Sequence, residues 1–196
     1  MRLHDRQAMR RMHFDYASRA AYFITICESK RRQVFSTIDE GLHLTPLGKI
    51  IEQEWLRTAS LRSYVALGEF VIMPNHFHGI LKIMRSVASN PRPRRFGEGR
   101  TASVASIVGN FKAAVTRRAQ RELPGVDWGW QPRFYDHVIR DEHGYLRVEQ
   151  YIQDNPHTWV SDRDNPQSTS DDRFHEWLES LPPPKPGDVI DPGNPM

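Results

Sequence analysis

Residues 71–83 read VIMPNHFHGILKI, and this stretch decides the fold. Apolar and β-branched residues stand on both sides of Met73-Pro74-Asn75, where proline presets φ and asparagine tolerates unusual backbone angles. A tight turn at this point makes residues 65–73 and 76–84 the two strands of a β-hairpin.

Patterning on both sides of the hairpin predicts further strands and helices. Residues 22–27 (YFITIC) have the aromatic and β-branched composition of a buried strand. Thr45 and Pro46 suit a helix N-cap and first helical position, and apolar residues recur at helical spacing to about residue 61. The other predicted elements are a helix at 103–122, a strand at 130–140, a helix that Asp141 caps and that runs to about residue 155, and a short helix at 172–181.

The predicted order is β-α-β-β-α-β-α, which is the ferredoxin-like pattern of an α+β domain. We expect an antiparallel sheet with the helices on one face. His76 and His78 are two residues apart on a strand, so both side chains point to the other face, while Phe77 points into the core. We expect a basic arm at 1–18, a folded domain at 19–160 and an acidic, proline-rich tail at 161–196.

The composition excludes several classes of protein. With 196 residues the chain has the length of one compact domain with tails. Its single cysteine, Cys27, excludes an internal disulfide framework and a cysteine-rich zinc module. No stretch approaches the roughly 18 apolar residues of a membrane span, and no apolar signal-peptide core follows the basic N-terminus. We therefore expect a cytoplasmic protein that does not enter membranes.

The charge is unevenly distributed. The net charge of +3 divides into +9 over residues 1–150 and −6 over residues 151–196. A basic body is typical of proteins that bind polyanions, most simply nucleic acid, although ordinary surface charge gives the same excess. We also expect that residues 160–196 fold over the basic body and compete with a nucleic acid bound there.

Two motifs carry candidate chemistry. Two imidazoles on one sheet face can bind a divalent cation if a third ligand comes from elsewhere, but surface histidines after a turn have the same spacing. Residues 151–156 (YIQDNP) place Tyr151 and Asn155 on one face of the last long helix. A phenol beside a metal ligand can attack a phosphodiester, although a surface tyrosine before a helix end gives the same pattern.

Together the two motifs resemble the HUH single-tyrosine transposases of the insertion-sequence 200/605 class, and most closely the REP-associated tyrosine transposases. The resemblance covers about residues 20–159 and includes YFITICE, VIMPNHFHGILKI, WQPRFYDHVIRDE and YIQDNP. The tyrosine follows the histidines, as in the transposases, whereas relaxases have the opposite order.

The resemblance implies that the domain at 19–160 cleaves and joins single-stranded DNA with the help of a metal. Tyr151 matches the family's nucleophile, which forms a 5′-phosphotyrosine and leaves a free 3′-OH. His76 and His78 match its metal ligands, and Asn155 falls where the family has glutamine or asparagine as a third ligand for Mg²⁺ or Mn²⁺.

The resemblance also implies a substrate, a DNA hairpin with a short single-stranded flank, typically a repetitive extragenic palindrome. It implies no organic cofactor. Insertion-sequence relatives work as homodimers with shared active sites, while the REP-associated branch leaves a monomer open. Basic residues that we expect to contact phosphates, although each would serve equally well as a solvated surface charge, are Arg31, Arg32, Arg92, Arg94, Arg95, Lys112, Arg117 and Arg118.

Other functions remain open from the sequence. A ferredoxin-like sheet with basic helix ends also suits a non-catalytic protein that binds structured DNA or RNA through the open sheet face. A zinc hydrolase is disfavoured because no Asp or Glu sits beside the histidine pair as a general base. Tyr135 and Tyr145 are less favoured as nucleophiles, since one lies on a strand and the other in the core-facing stripe of a helix.

Overall fold

A computed structural model describes residues 18–85, 102–168 and 173–182. The main sheet has four strands, and a separate small sheet has two. The strands are β1 (Ala20–Cys27), β2 (Ser36–Ile38), β3 (Leu42–Leu44), β4 (Val65–Ile72), β5 (His76–Ile83) and β6 (Tyr135–Ile139). The helices are α1 (Pro46–Ser60), α2 (Val104–Glu122), α3 (Glu142–Asp154) and α4 (Arg173–Ser180), with a 3₁₀ turn at Trp159–Ser161.

The main sheet has the strand order β4-β5-β1-β6, and each neighbouring pair is antiparallel. This is the order of a ferredoxin-like sheet, so the predicted fold class is confirmed. None of the helices in the described ranges is long and apolar enough to cross a membrane. Residues 1–17 of the predicted arm and the loop at 86–101, with Arg92, Arg94 and Arg95, lie outside the described residues.

The hairpin is formed as predicted. Met73 N donates to His76 O at 2.9 Å, and Ile72 pairs with Phe77 across the turn. β5 lies between β4 and β1, so that its backbone is hydrogen-bonded on both sides. The β1–β5 ladder holds His76 opposite Cys27 and His78 opposite Thr25, which fixes the position of both histidines.

The helices begin at side chains that cap them. Thr45 Oγ1 accepts from Gly48 N at 3.1 Å at the start of α1, and Asp141 Oδ1 accepts from Gly144 N at 2.7 Å at the start of α3. Each bond satisfies a backbone N–H that has no partner within the helix. The capping residues predicted from the sequence are therefore confirmed.

One face of the sheet packs against α1 and α2. Trp55 of α1 is fully buried, with its ring centroid 4.7 Å from that of Phe77 and 5.3 Å from that of Phe111. A Cβ atom at Gly79 would lie 2.7 Å from the Phe77 ring and 3.1 Å from the Trp55 ring. Glycine between the strand and the helix is therefore what allows Trp55 to approach β5.

The other face is covered as well, which differs from the expectation that all helices lie on one face. α3 buries Val148 and Ile152 against it, and α4 buries Leu178. β1 and β5 present Phe23 and Ile80 to these helices, and such apolar side chains need a second layer to exclude water. The histidine face is therefore enclosed, and the site lies inside a second, smaller core.

Two local features differ from the sequence prediction. The strand predicted at 130–140 is regular only from Tyr135, although Trp130 bridges Glu28 and Gln131 N donates to Cys27 O. Pro132 has no N–H to continue the ladder, which interrupts the pairing. The β2–β3 hairpin was not predicted, because strands of three residues carry too little periodicity to detect.

Candidate active site and metal centre

His76 and His78 lie side by side on β5 and are fully buried beneath α3 and α4. Their ring centroids are 4.4 Å apart. Asn75 Oδ1 accepts a hydrogen bond from His76 Nδ1 at 2.8 Å, and Thr25 Oγ1 lies 2.9 Å from His78 Nδ1. Since both Nδ1 atoms are held in this way, the Nε2 atoms are the ones that can bind a cation.

Tyr151 of α3 faces the histidine pair within the same chain. Its hydroxyl oxygen is 3.5 Å from His78 Nε2, and the two ring centroids are 5.3 Å apart. Phe174 of α4 stacks on the tyrosine ring with 3.6 Å between centroids and 6° between planes, while Phe23 meets it edge-on at 6.0 Å. The structure therefore brings together the two motifs that are far apart in the sequence.

Asn155 ends α3 and is buried beside the histidines. Its Nδ2 donates to Asp162 Oδ2 at 2.8 Å, and that oxygen lies 4.0 Å from His76 Nε2. Within the described part of the chain, the buried Asn155 Oδ1 has no hydrogen-bond partner. Burying an amide oxygen in this way costs free energy, and a bound cation would lower that cost.

Two aspartates that the sequence analysis missed complete the cluster. A carboxylate oxygen of Asp164 and one ring nitrogen each of His76 and His78 all lie within 4.8 Å of one another, and the three residues are buried. Asp162 Oδ1 accepts a hydrogen bond from Asp164 N at 2.5 Å. The expectation that no Asp or Glu sits beside the histidine pair is wrong, because the chain returns over the sheet after α3. The acidic composition of this segment was visible in the sequence, but its position was not.

The donor atoms at this site suit a divalent cation. Imidazole nitrogens, a carboxylate and an amide oxygen are all common ligands of such ions. The Asn155 oxygen without a hydrogen-bond partner and the burial of the acids next to the histidines also favour a bound cation. The residues present therefore fit the cation that the sequence resemblance implies.

Arg31 and Arg32, two of the predicted DNA contacts, lie near the site and form ion pairs within the protein. Arg31 pairs with Asp164, and Arg32 pairs with Glu28 at 2.7 Å. Burial alone would raise the pKa of Glu28, but hydrogen bonds from the Arg32 side chain and from the backbone N–H groups of Arg32 and Lys30 outweigh it and lower the pKa to about 2. The ionised Glu28 therefore organises the loop that carries both arginines.

The remaining described DNA-contact candidates are not at the site. Lys112 Nζ donates to Gln131 O at 2.6 Å, and burial lowers the pKa of its ammonium group. Arg117 and Arg118 line an open groove between α1 and α2, on the face opposite the histidines. Arg118 Nε lies 3.0 Å from Glu122 Oε1, and this pair raises the pKa of the arginine. Phosphate contacts by these residues stay predictions, as they do for Arg92, Arg94 and Arg95.

No protein-family model matches the chain. An uncharacterized protein of Haemophilus influenzae is 37% identical to it over 169 residues, which cover 82% of this chain and 93% of the relative. At this identity and coverage, the chain belongs to the same family as that protein.

A solved structure shows the same fold. A REP-associated tyrosine transposase bound to a REP hairpin superposes with a TM-score of 0.52 and 22% identity, over 76% of this chain and 75% of the other. The resemblance read from the sequence is thereby confirmed at the level of the fold. A Deinococcus radiodurans protein described as a candidate transposase has a TM-score of 0.43 and 18% identity, over 74% of this chain and 96% of the other, which is too distant to add to that conclusion.

Proposed function

We propose that this member of the Haemophilus protein's family is a single-tyrosine transposase that cleaves and joins single-stranded DNA beside a hairpin, with a divalent metal ion. The observation that carries the proposal is the 3.5 Å distance between the Tyr151 hydroxyl and His78 Nε2. A nucleophile for a phosphodiester has to lie next to the metal ion that neutralises the phosphate, and the short distance from the Tyr151 hydroxyl to a proposed metal ligand of the same chain supports this role.

Tyr151 is the proposed nucleophile. Its oxygen forms a bond to phosphorus while the bond to the 3′ oxygen breaks, which gives a 5′-phosphotyrosine and a free 3′-OH. The phenol loses its proton to solvent, and the departing 3′ oxygen takes one up. Phe174 and Phe23 hold the tyrosine ring on two sides, so its hydroxyl is oriented towards the histidines before substrate arrives.

The proposed metal ligands are His76, His78 and Asn155. Asn75 orients the first imidazole, and Thr25 orients the second. A bound Mg²⁺ or Mn²⁺ would neutralise negative charge on the phosphate oxygens and so favour in-line attack. The oxygen ligands at the site are the kind that these two ions prefer.

The proposed substrate is hairpin DNA of the REP type with a single-stranded flank. The hairpin in the related transposase structure and the basic body of this chain, with a net charge of +9 over residues 1–150, support this choice. The site residues come from one chain, so the proposed chemistry does not require a homodimer, and a homodimer stays a prediction of the sequence resemblance alone.

A covalent-adduct assay tests the proposal. A 5′-flanked hairpin oligonucleotide, labelled on the strand 3′ of the cleavage point, is incubated with protein and Mn²⁺ and separated on a denaturing gel. We expect a labelled protein band that Tyr151→Phe abolishes and that Tyr145→Phe retains. Tyr145 is a matched control because it lies on the same helix but beneath Lys82, with 4.7 Å between the ammonium and the ring centroid.

Full adduct formation by Tyr151→Phe would contradict the assignment of the nucleophile. Hairpin binding that weakens steeply with salt, without an adduct in any divalent ion, would instead support the alternative of a non-catalytic binder of structured nucleic acid.

A further inference from the structure

The return segment (residues 156–168) brings two acids into the enclosed face of the sheet. Asp162 and Asp164 are only 6% and 2% exposed, although the sequence around them is polar and acidic. Aspartates are rarely buried to this extent unless a partner compensates for the lost hydration. Both carboxylates therefore need partners at the site that compensate for their burial.

Asn75 couples the return segment to the histidine pair. Its Oδ1 accepts from His76 Nδ1 at 2.8 Å, and its Nδ2 donates to Asp164 O at 2.7 Å. One buried amide thus fixes both the orientation of an imidazole and the backbone of the acid next to it. Arg31 pairs with Asp164 Oδ1, which holds the carboxylate from the outer side.

The electrostatics of the cluster favour a cation. Two carboxylates of the return segment are buried, and Asp162 Oδ1 accepts from the backbone N–H of Asp164 at 2.5 Å. Burying ionised carboxylates is costly, and a divalent ion bound between the acids and the imidazoles would reduce that cost. An oxygen of Asp164 within 4.8 Å of a nitrogen of each histidine is close enough for one ion to bind all three.

We propose that Asp164 is a protein ligand of the cation held by His76 and His78, so that the cation fastens the return segment to the sheet. The inference rests on the metal ion of the proposed function and adds a carboxylate ligand that the sequence analysis did not predict. Binding of the ion and seating of the return segment are then thermodynamically linked, and each strengthens the other.

Metal affinity tests the ligand assignment without any DNA. Isothermal titration of the full chain with Mn²⁺ should give an affinity that Asp164→Asn lowers by at least about tenfold. Arg31→Gln removes the ion pair but keeps the carboxylate, so it should lower the Mn²⁺ affinity by much less than Asp164→Asn does. Asp127→Asn removes an exposed acid and should bind as the wild type does.

The inference would be overturned if Asp164→Asn bound Mn²⁺ within about twofold of the wild-type affinity. It would also be overturned if Arg31→Gln bound Mn²⁺ as weakly as Asp164→Asn does. The first result would mean that the carboxylate is not a ligand, and the second that it acts through its ion pair. Failure of the wild type to bind Mn²⁺ would overturn it too. The strand-cleavage proposal is judged separately by the adduct assay.

Hydrogen exchange supplies a second readout that does not depend on the folding of a variant. In the wild type, Mn²⁺ should slow amide exchange in the return segment at least severalfold and leave α1 unchanged. Equal exchange of the return segment with and without saturating Mn²⁺ would contradict the proposed link between the ion and the segment.

Discussion

At the scale of single residues, the site depends on side chains that hold the reacting groups rather than on those groups alone. Asn75 is fully buried in the hairpin turn and contacts both His76 and the backbone of Asp164. Glu28 N donates to Asn75 O at 2.8 Å, and the Glu28 carboxylate accepts a hydrogen bond from the backbone of the loop that follows β1. A chain of hydrogen bonds thus connects the loop after β1 to the imidazole that is proposed to bind the metal.

Asn75→Ala should weaken Mn²⁺ binding by roughly 10- to 100-fold, the usual effect of removing a residue that orients a ligand. The loss arises because His76 Nδ1 no longer has the acceptor that sets its tautomer. Titration calorimetry measures the effect, and Asn110→Ala on the exposed side of α2 is the control. Wild-type affinity in Asn75→Ala would show that the histidine is oriented by other contacts.

Glu28 predicts a pH dependence of stability. Its folded pKa of about 2 lies below the ordinary value of 4.5, so its contribution is fully present above about pH 5 and is lost as the pH falls towards 2. Glu28→Gln should therefore be less stable than wild type at pH 7, with a difference that shrinks between pH 5 and 2.

Urea unfolding at a series of pH values measures that difference, with Glu69→Gln, at an exposed position on β4, as the control. A gap between wild type and Glu28→Gln that stays constant down to pH 2 would contradict the assigned role of the carboxylate.

At the scale of elements, much of the architecture followed from local patterns. The hairpin turn, the capping residues Thr45 and Asp141 and the apolar spacing of the helices are short-range signals, and all of them were read correctly. The position of Tyr151 on α3 was predicted for the same reason.

The cover over the histidine face was not predicted, because it depends on contacts between distant segments. Phe174 and Leu178 of α4 have an amphipathic pattern, but no local signal says which surface they cover. Asp164 lies in a run of polar residues, and its role follows only from the path that the chain takes after α3. Patterns of a few residues predict elements, whereas the partners of a buried acid require the tertiary structure.

Gly79→Ala tests the packing of β5 against α1. The added Cβ would lie within 3.1 Å of both Phe77 and Trp55, so we expect a loss of about 1–3 kcal/mol in the free energy of unfolding. Gly109→Ala is the matched control, since a Cβ there meets nothing within 4 Å and should stabilise α2 by about 0.5–1 kcal/mol. Thermal unfolding of both variants makes the comparison. If Gly79→Ala were as stable as wild type, the strand and the helix could move apart without a loss of stability.

At the scale of the whole molecule, one chain supplies the tyrosine, the histidines and the segments that cover them. α4 stacks Phe174 on Tyr151, and the return segment pairs Asp164 with Arg31, a predicted phosphate contact. α4 and the return segment thus contact two side chains, Tyr151 and Arg31, that the proposed DNA substrate would need. This arrangement supports the expectation that the C-terminal residues compete with DNA.

Truncation after Trp159 should therefore tighten binding of hairpin DNA severalfold at low salt, because Arg31 is released and negative charge is removed. Binding is measured by fluorescence anisotropy in EDTA, so that the loss of Asp164 as a metal ligand does not affect the measured DNA affinity. The gain should shrink as the salt concentration rises. Unchanged affinity at low salt would exclude competition by this part of the chain.

The central claim is that Tyr151 becomes covalently joined to DNA, and mass spectrometry of the adduct tests it most directly. Trypsin releases residues 148–163, a peptide in which Tyr151 is the single tyrosine. After reaction with a hairpin oligonucleotide and Mn²⁺, we predict that this peptide carries the DNA strand 3′ of the cleavage point, joined to Tyr151 through its 5′-phosphate. An adduct on any other residue, or an unmodified peptide alongside cleaved DNA, would contradict the account.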